Sequence, residues 1–190
     1  MTVAVPAFLL LSQADLSAQK GTVKLTEETV SIPTYRQDPP NPMPRFFEGH
    51  SHQGVQRRMY PYPFDDGLTP IKEDKDHPMI HVENEFIDLG ISTELGGRVY
   101  YADDKSNGYK YLYHNHVIKP SLIGMLGNWI SGSLAWGFPH HHGPNTVQNM
   151  GYVIEEREDG SKTVWIRSWD RLLRMEAIVG YTVYPNSSIL

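Results

Sequence analysis

The chain has 190 residues, a length that fits one domain with a buried core. Its 17 basic and 22 acidic residues leave a formal charge of −5, so there is no positive field to attract a polyanion, and nucleic acid is not an expected partner. Absence of cysteine excludes disulfides, thiol catalysis and thiolate metal sites, while 16 glycines, 14 prolines and 11 tyrosines are the turn formers and aromatics of an all-β chain.

Val3 to Leu11 is an apolar run followed by Ser12, Ala14, Ser17 and Ala18, the pattern of the end of a signal peptide processed near Ala18 to Lys20. Residues 1–20 are therefore expected to lie outside the packed domain, with the protein secreted or periplasmic. The other reading is a frayed leader or a short buried strand, in a cytoplasmic protein. The run is too short for a helix that spans a bilayer, so no membrane span is expected.

From Gly21 the pattern changes to short strands. Val23, Leu25 and Thr29 to Ile32 read as a strand closed by Pro33. Residues 35–46 hold Pro39, Pro40, Pro42 and Pro44 and predict an extended arm. Arg57 to Phe64 is an aromatic-proline stretch, Asp65-Asp66-Gly67 a turn, and the alternating charges of Lys72 to Asp76 a solvated loop. Met79 to Ile91 gives two strands broken at Glu83 to Glu85. Another strand, Leu95 to Ala102, starts at the double-glycine bend Gly96-Gly97, and a turn at Asp103 to Gly108 leads to a short strand at Tyr109 to Tyr113. Lys119 to Leu126, opened by Pro120, is the one place that predicts a helical turn. Tyr152 to Arg157 and Thr163 to Trp169, joined at Asp159-Gly160, make the clearest hairpin, and Arg171 to Met175 and Ala177 to Tyr184 add strands. The chain stops at Ile189-Leu190, as if at the start of a further strand.

The candidate chemistry lies between Leu126 and Val147, where Trp129, Trp136 and Phe138 bracket His140-His141-His142. In an extended segment His140 and His142 point to one side and His141 to the other. Three readings fit: proton transfer or hydrogen bonding to a ligand, a metal pair completed by His114 or His116, or packed loop histidines. The tryptophans fit either stacking on a sugar face or plain burial. Arg98, projecting after Gly96-Gly97, fits a grip on a hydroxyl or carboxylate, or a structural ion pair with Glu94 or Asp88.

Several motifs together resemble a known family: Ile32 to Tyr35, Arg58 to Pro63, Val82 to Glu85, Glu94 to Val99, Lys105 to Tyr109, Val117 to Pro120, Trp129 to Gly132, Pro139 to Pro144 and Asp159 to Trp165. Across about residues 25–188 the chain is similar to an uncharacterised bacterial domain family of the galactose-mutarotase-like superfamily, often found ahead of tetratricopeptide repeats. The resemblance implies an antiparallel supersandwich with a concave carbohydrate-binding face, longer than residues 21–190, of which this chain would be an incomplete N-terminal portion. It also implies that either His141 or His142, matching the paired histidines of the family motif, serves as a catalytic acid or a ligand clamp. The partner glutamate would lie past Leu190. Ala135, Gly137 and Gly143 stand where the motif usually has an acid, an asparagine and an arginine, which predicts weak binding.

The leading expectation is a carbohydrate-binding domain of a carbohydrate-active protein, contacting its sugar through Arg98, Trp129, Trp136 and His140, with no cofactor and no metal. An aldose-epimerase-like or glycoside-hydrolase-like enzyme is the first alternative, and a structural interaction module the second. A tetratricopeptide-repeat region would adjoin the domain in the full-length protein.

Overall fold

The computed structural model describes residues 21–43, 60–124, 127–139, 142 and 146–190. The expected leader at residues 1–20, the end of the proline arm, and Arg57 to Met59 lie outside the described residues. Strands β1 (Lys24–Gln37), β2 (Leu68–Glu83), β3 (Ile87–Ser92) and β4 (Arg98–Asp104) pair in chain order into an antiparallel sheet. Strands β5 (Ser121–Gly124) and β6 (Gly127–Trp129) form a small hairpin, and β7 (Gly151–Glu156), β8 (Lys162–Asp170) and β9 (Met175–Val183) a three-stranded antiparallel sheet. Among the described residues there is no α-helix, and no helix is long and apolar enough to cross a membrane.

Period-two alternation explains how the layers stack. Ile80 and Val82 of β2, Leu89 of β3 and Val99 and Ala102 of β4 share one core with Val164 and Ile166 of β8 and Tyr181 and Val183 of β9. The two larger sheets therefore pack face to face as a β-sandwich. On β2 the intervening Met79 points the other way, into a second core with Ile32, Leu95, Tyr100, Ile118 and Ile130 beside the β5–β6 hairpin. Further along that second face Glu83 forms ion pairs with Lys24 at 3.3 Å and Lys105 at 2.8 Å, and His81 Nε2 is hydrogen-bonded to Asp88 Oδ1 at 2.7 Å. His81, Glu83 and Asp88 bring ligand-type atoms within 4.8 Å of one another, with Glu83 already engaged by two lysines and Asp88 by the His81 ring.

Two buried polar residues tie segments distant in sequence. Asn84, between β2 and β3, accepts the Phe86 and Ile87 amides at 2.7 and 2.8 Å and donates to the Tyr184 and Ser187 carbonyls, both at 2.7 Å. All its polar capacity is used, as a buried amide requires. His77, 1 % exposed, meets Glu94 Oε2 through Nδ1 at 2.9 Å. The Thr34 hydroxyl stands 2.8 Å from both His77 Nε2 and Ile32 O and can donate to either.

Several sequence expectations change. Lys72 to Asp76 is not a loop: it is the middle of β2, with Lys75 opposite Ile32 and Glu73 opposite Thr34. Here β2 has only β1 beside it, so both faces stay wet and the charge alternation imitates a loop. Pro33 does not end β1, because an edge strand can give up a donor, and its carbonyl accepts the Ile118 amide at 2.9 Å. Tyr35 to Gln37, assigned to the proline arm, likewise stay in β1. Where a helical turn is expected at Lys119 to Leu126, Ser121–Gly124 instead forms β5, held by pairing of Ser121 with Trp129. Tyr109 to Tyr113 forms only a single bridge, Lys110 with Asp103, and residues 171–174 form a turn rather than a strand.

Candidate functional site

The site grows from the β3–β4 turn. Gly96 and Gly97 adopt φ of 82° and 66°, a region that strains any residue with a β-carbon. At Gly97 that β-carbon would stand 2.4 Å from Ile166 Cγ2, so glycine lets the turn sit directly on the three-stranded sheet. The next residue, Arg98, is 1 % exposed. Its Nε donates to Leu95 O at 2.7 Å, one terminal nitrogen to Ile130 O and Ser133 Oγ at 3.1 Å each, and the other to Thr146 O. Burial brings this guanidinium down to about 10, still cationic at neutral pH. Its charge is met by carbonyl dipoles rather than by the expected carboxylates. Glu94 pairs instead with Lys75 at 2.6 Å and with His77, and Asp88 with His81.

Ile130 and Thr146 stand at the two ends of the tryptophan–histidine segment, so Arg98 cinches that loop at its base and does not present its charge to solvent. Trp129, at the end of β6, and His142 of the loop are brought together, ring centroids 5.3 Å apart at 65°. Trp136, 45 % exposed, is seated on the three-stranded sheet: its Nε1 donates to Tyr181 Oη at 2.8 Å, and that phenol donates to Gly97 O at 2.8 Å. Burial pushes the Tyr181 phenol up to about 12, keeping it a donor. His140 and His141 lie outside the described residues. Trp136 and Phe138 wall a cavity of about 30 Å³ against Ile166, Val179 and Tyr181, space for a single water.

A larger opening adjoins it. Before Gly151 the chain leaves β8, because Met150 N donates to Thr93 O and Gln148 O accepts Gly96 N, both at 2.9 Å. β8 continues to Asp170 with only β9 beside it, and pairing to β7 ends at Gly151 opposite Arg167. The fork between the diverging segments is a cleft of about 600 Å³, with Gln148, Asn149, Arg167, Ser168, Trp169 and Arg171 in its wall. Met150 and Ser168 line both the cleft and the Trp136 cavity.

The cleft's wall is held from behind. Asp170, buried at the end of β8, accepts the Tyr62 phenol at 2.8 Å and the Leu173 amide at 2.6 Å, while Tyr62 Oη accepts the Arg171 amide at 2.7 Å. Burial, aided by Asp170, pushes Tyr62 up to about 12. Trp169 and Arg167 project on the outward side of β8, with Trp169 52 % exposed and Arg167 tied through Nε to Glu176. No hydrogen bond or ion pair engages the Arg171 guanidinium among the described residues.

Trp169, Arg167 and Arg171 are absent from the residues nominated by sequence. Their signal is nonetheless present: Arg-Ser-Trp-Asp-Arg at 167–171 alternates two arginines and a tryptophan at period two, which puts Arg167 and Trp169 on one face of a strand.

The fold is similar to the crystal structure of a TPR-domain containing protein from Parabacteroides distasonis ATCC 8503, solved at 2.26 Å resolution, with a TM-score of 0.77 and 24 % identity. The match covers 89 % of this chain and 28 % of that one, so the chain spans a little over a quarter of that protein's length. Residues 55–189 match the model of a family described as Domain of unknown function, DUF5107, and by that match over most of its length the chain belongs to this family.

Proposed function

We propose that this domain is a carbohydrate-binding module of a larger multidomain protein and that the sugar occupies the cleft at the fork of β7 and β8. The observation that carries this reading is the make-up of the cleft wall. A half-exposed indole stands beside two carboxamides, a hydroxyl and two guanidiniums in about 600 Å³, a volume suited to one or two sugar rings. An aromatic face takes the C–H side of a pyranose, and the polar groups select hydroxyl orientation. The likeness of its motifs to the galactose-mutarotase-like superfamily supports the same reading. Among the described residues no carboxylate lines the cleft, whereas glycoside hydrolysis calls for a facing pair.

In this proposal Arg98 acts by shaping the loop between Ile130 and Thr146, which carries Trp136 beside the adjoining cavity, and the sugar rests on Trp169. His141 and His142 keep their proposed role as proton donors or ligand clamps. An adjoining tetratricopeptide-repeat region and export from the cytoplasm belong to the same proposal. The test is saturation-transfer NMR on the full chain with a panel of mono- and oligosaccharides. Binding by at least one sugar, weakened tenfold or more in Trp169→Ala, is the expected result. Silence across the panel would reject it in favour of an interaction module, a reading favoured by Val153 and Ile178, which stand exposed on the outward face of the same sheet.

A further inference from the structure

Resting on the carbohydrate reading of the cleft, we infer that its ligand is an acidic saccharide, a uronate-type sugar whose carboxylate is received by Arg171. The basis is the charge of the cleft wall against that of the chain. The protein carries a formal charge of −5, yet the described residues lining the cleft include two arginines and no acid. The two carboxylates nearest by sequence and pairing are already committed. Asp170 is buried, one oxygen accepting from Tyr62 and the other from the Leu173 amide. Glu176, opposite Trp169 on β9, holds Arg167 through Nε.

Arg171 is different. Its backbone amide is anchored on Tyr62, so the start of the β8–β9 turn is fixed, while its guanidinium has no partner among the described residues. An arginine fixed at its backbone and free at its planar fork is suited to a two-pronged grip on a carboxylate. A neutral sugar offers that fork only uncharged hydroxyls, whose hydrogen bonds are weaker than the charge-assisted pair to a carboxylate. Trp169, two residues earlier on β8, supplies the face on which the same ring rests, and Gln148 and Asn149 supply donors and acceptors for its hydroxyls.

The test compares each acid with its own neutral form. Trimers of galacturonate and mannuronate and a hyaluronan tetrasaccharide are titrated into the full chain, each beside its methyl ester, with tryptophan fluorescence and calorimetry as readouts. At least one acid is expected to bind tenfold or more tighter than its ester, to weaken as salt is raised, and to lose that preference in Arg171→Gln with an unchanged unfolding midpoint. Esters that bind as well as the acids, or an Arg171→Gln protein that keeps the preference, would overturn the acidic-ligand inference and leave sugar binding standing. If neither acids, esters nor neutral oligosaccharides bind, both readings fall together.

Discussion

The turn around Arg98 and the fork around Trp169 use similar residues to opposite ends. At the turn, the guanidinium is sealed from water and spent on the backbone of three separate segments, at Leu95, Ile130 and Thr146. At the fork, among the described residues, Arg171 is fastened only by its amide, and Trp169 keeps half its surface in solvent. The first arrangement converts charge into rigidity, because a buried cation cannot leave its acceptors without a large desolvation penalty. The second leaves charge and aromatic area available. The difference teaches that an arginine near a glycine bend marks a site only after its acceptors are known.

Four experiments press on that contrast, beginning with the largest effect. Arg98→Met would strand three buried carbonyl acceptors and is expected to cost about 3–5 kcal/mol in urea unfolding. If this protein unfolds like the parent but no longer binds sugar, Arg98 is a ligand contact and the contrast fails. Gly97→Ala comes next, at about 2–4 kcal/mol, the sum of left-handed strain and the collision with Ile166. Its measure is again the urea midpoint, and near-neutrality would show that the turn does not need its close seat on β8.

The pH dependence is smaller. Burial holds His77 below its ordinary value, against the pull of Glu94, so the unfolded chain takes up a proton before the folded one does. The stability contributed there is complete above the ordinary histidine value of about 6.5 and is lost as pH falls below it. Burial pushes Glu94 up, but Lys75 and His77 together hold it below the usual carboxylate range, which adds a second loss below about pH 4.5. Unfolding midpoints should therefore decline from about pH 7 to 5, and His77→Gln should flatten that upper segment. A parent protein with a level profile there would contradict the assignment. Least of all, Trp169→Ala should shift stability by less than about 1 kcal/mol, as expected for a half-exposed side chain. A thermal midpoint lowered well beyond that would make Trp169 a packing residue and close the fork as a site.

Much of the fold was legible because its sandwich faces alternate cleanly. Met79 to Ile91 breaks where Asn84 stands between strands, and Asp159-Gly160 sits at the β7–β8 turn, with Ser161 N donating to Asp159 Oδ1 at 2.9 Å. The double-glycine bend was also legible, since positive φ at Gly96 and Gly97 is a local demand. What escaped was set by pairing at a distance. Lys72 to Asp76 is strand only because β1 lies alongside, and Ser121 to Gly124 is strand only because Gly127 to Trp129 returns beside it. The site was legible in parts. The sequence placed Trp129 near the histidines, and Trp129 does meet His142. The burial of Arg98 depends on carbonyls 32 and 48 residues away, which no spacing reveals. Trp169 was visible as an alternating strand residue, yet the departure of β7 that exposes it depends on bonds to Thr93 and Gly96.

Asn84 bears on the order in which the chain acquires its structure. Its acceptor oxygen serves Phe86 and Ile87, two and three residues away, and those bonds are available as soon as the β2–β3 hairpin closes, on a scale of about 1–10 µs. Its donor nitrogen serves carbonyls 100 and 103 residues away, at Tyr184 and Ser187, which must wait for β9 to dock. One side chain thus spans the earliest and the latest steps of folding. Contacts this distant in sequence slow two-state folding to about milliseconds to seconds. Replacing Asn84 by Asp, which keeps the acceptor and removes both donors, should therefore accelerate unfolding while leaving the folding rate almost unchanged.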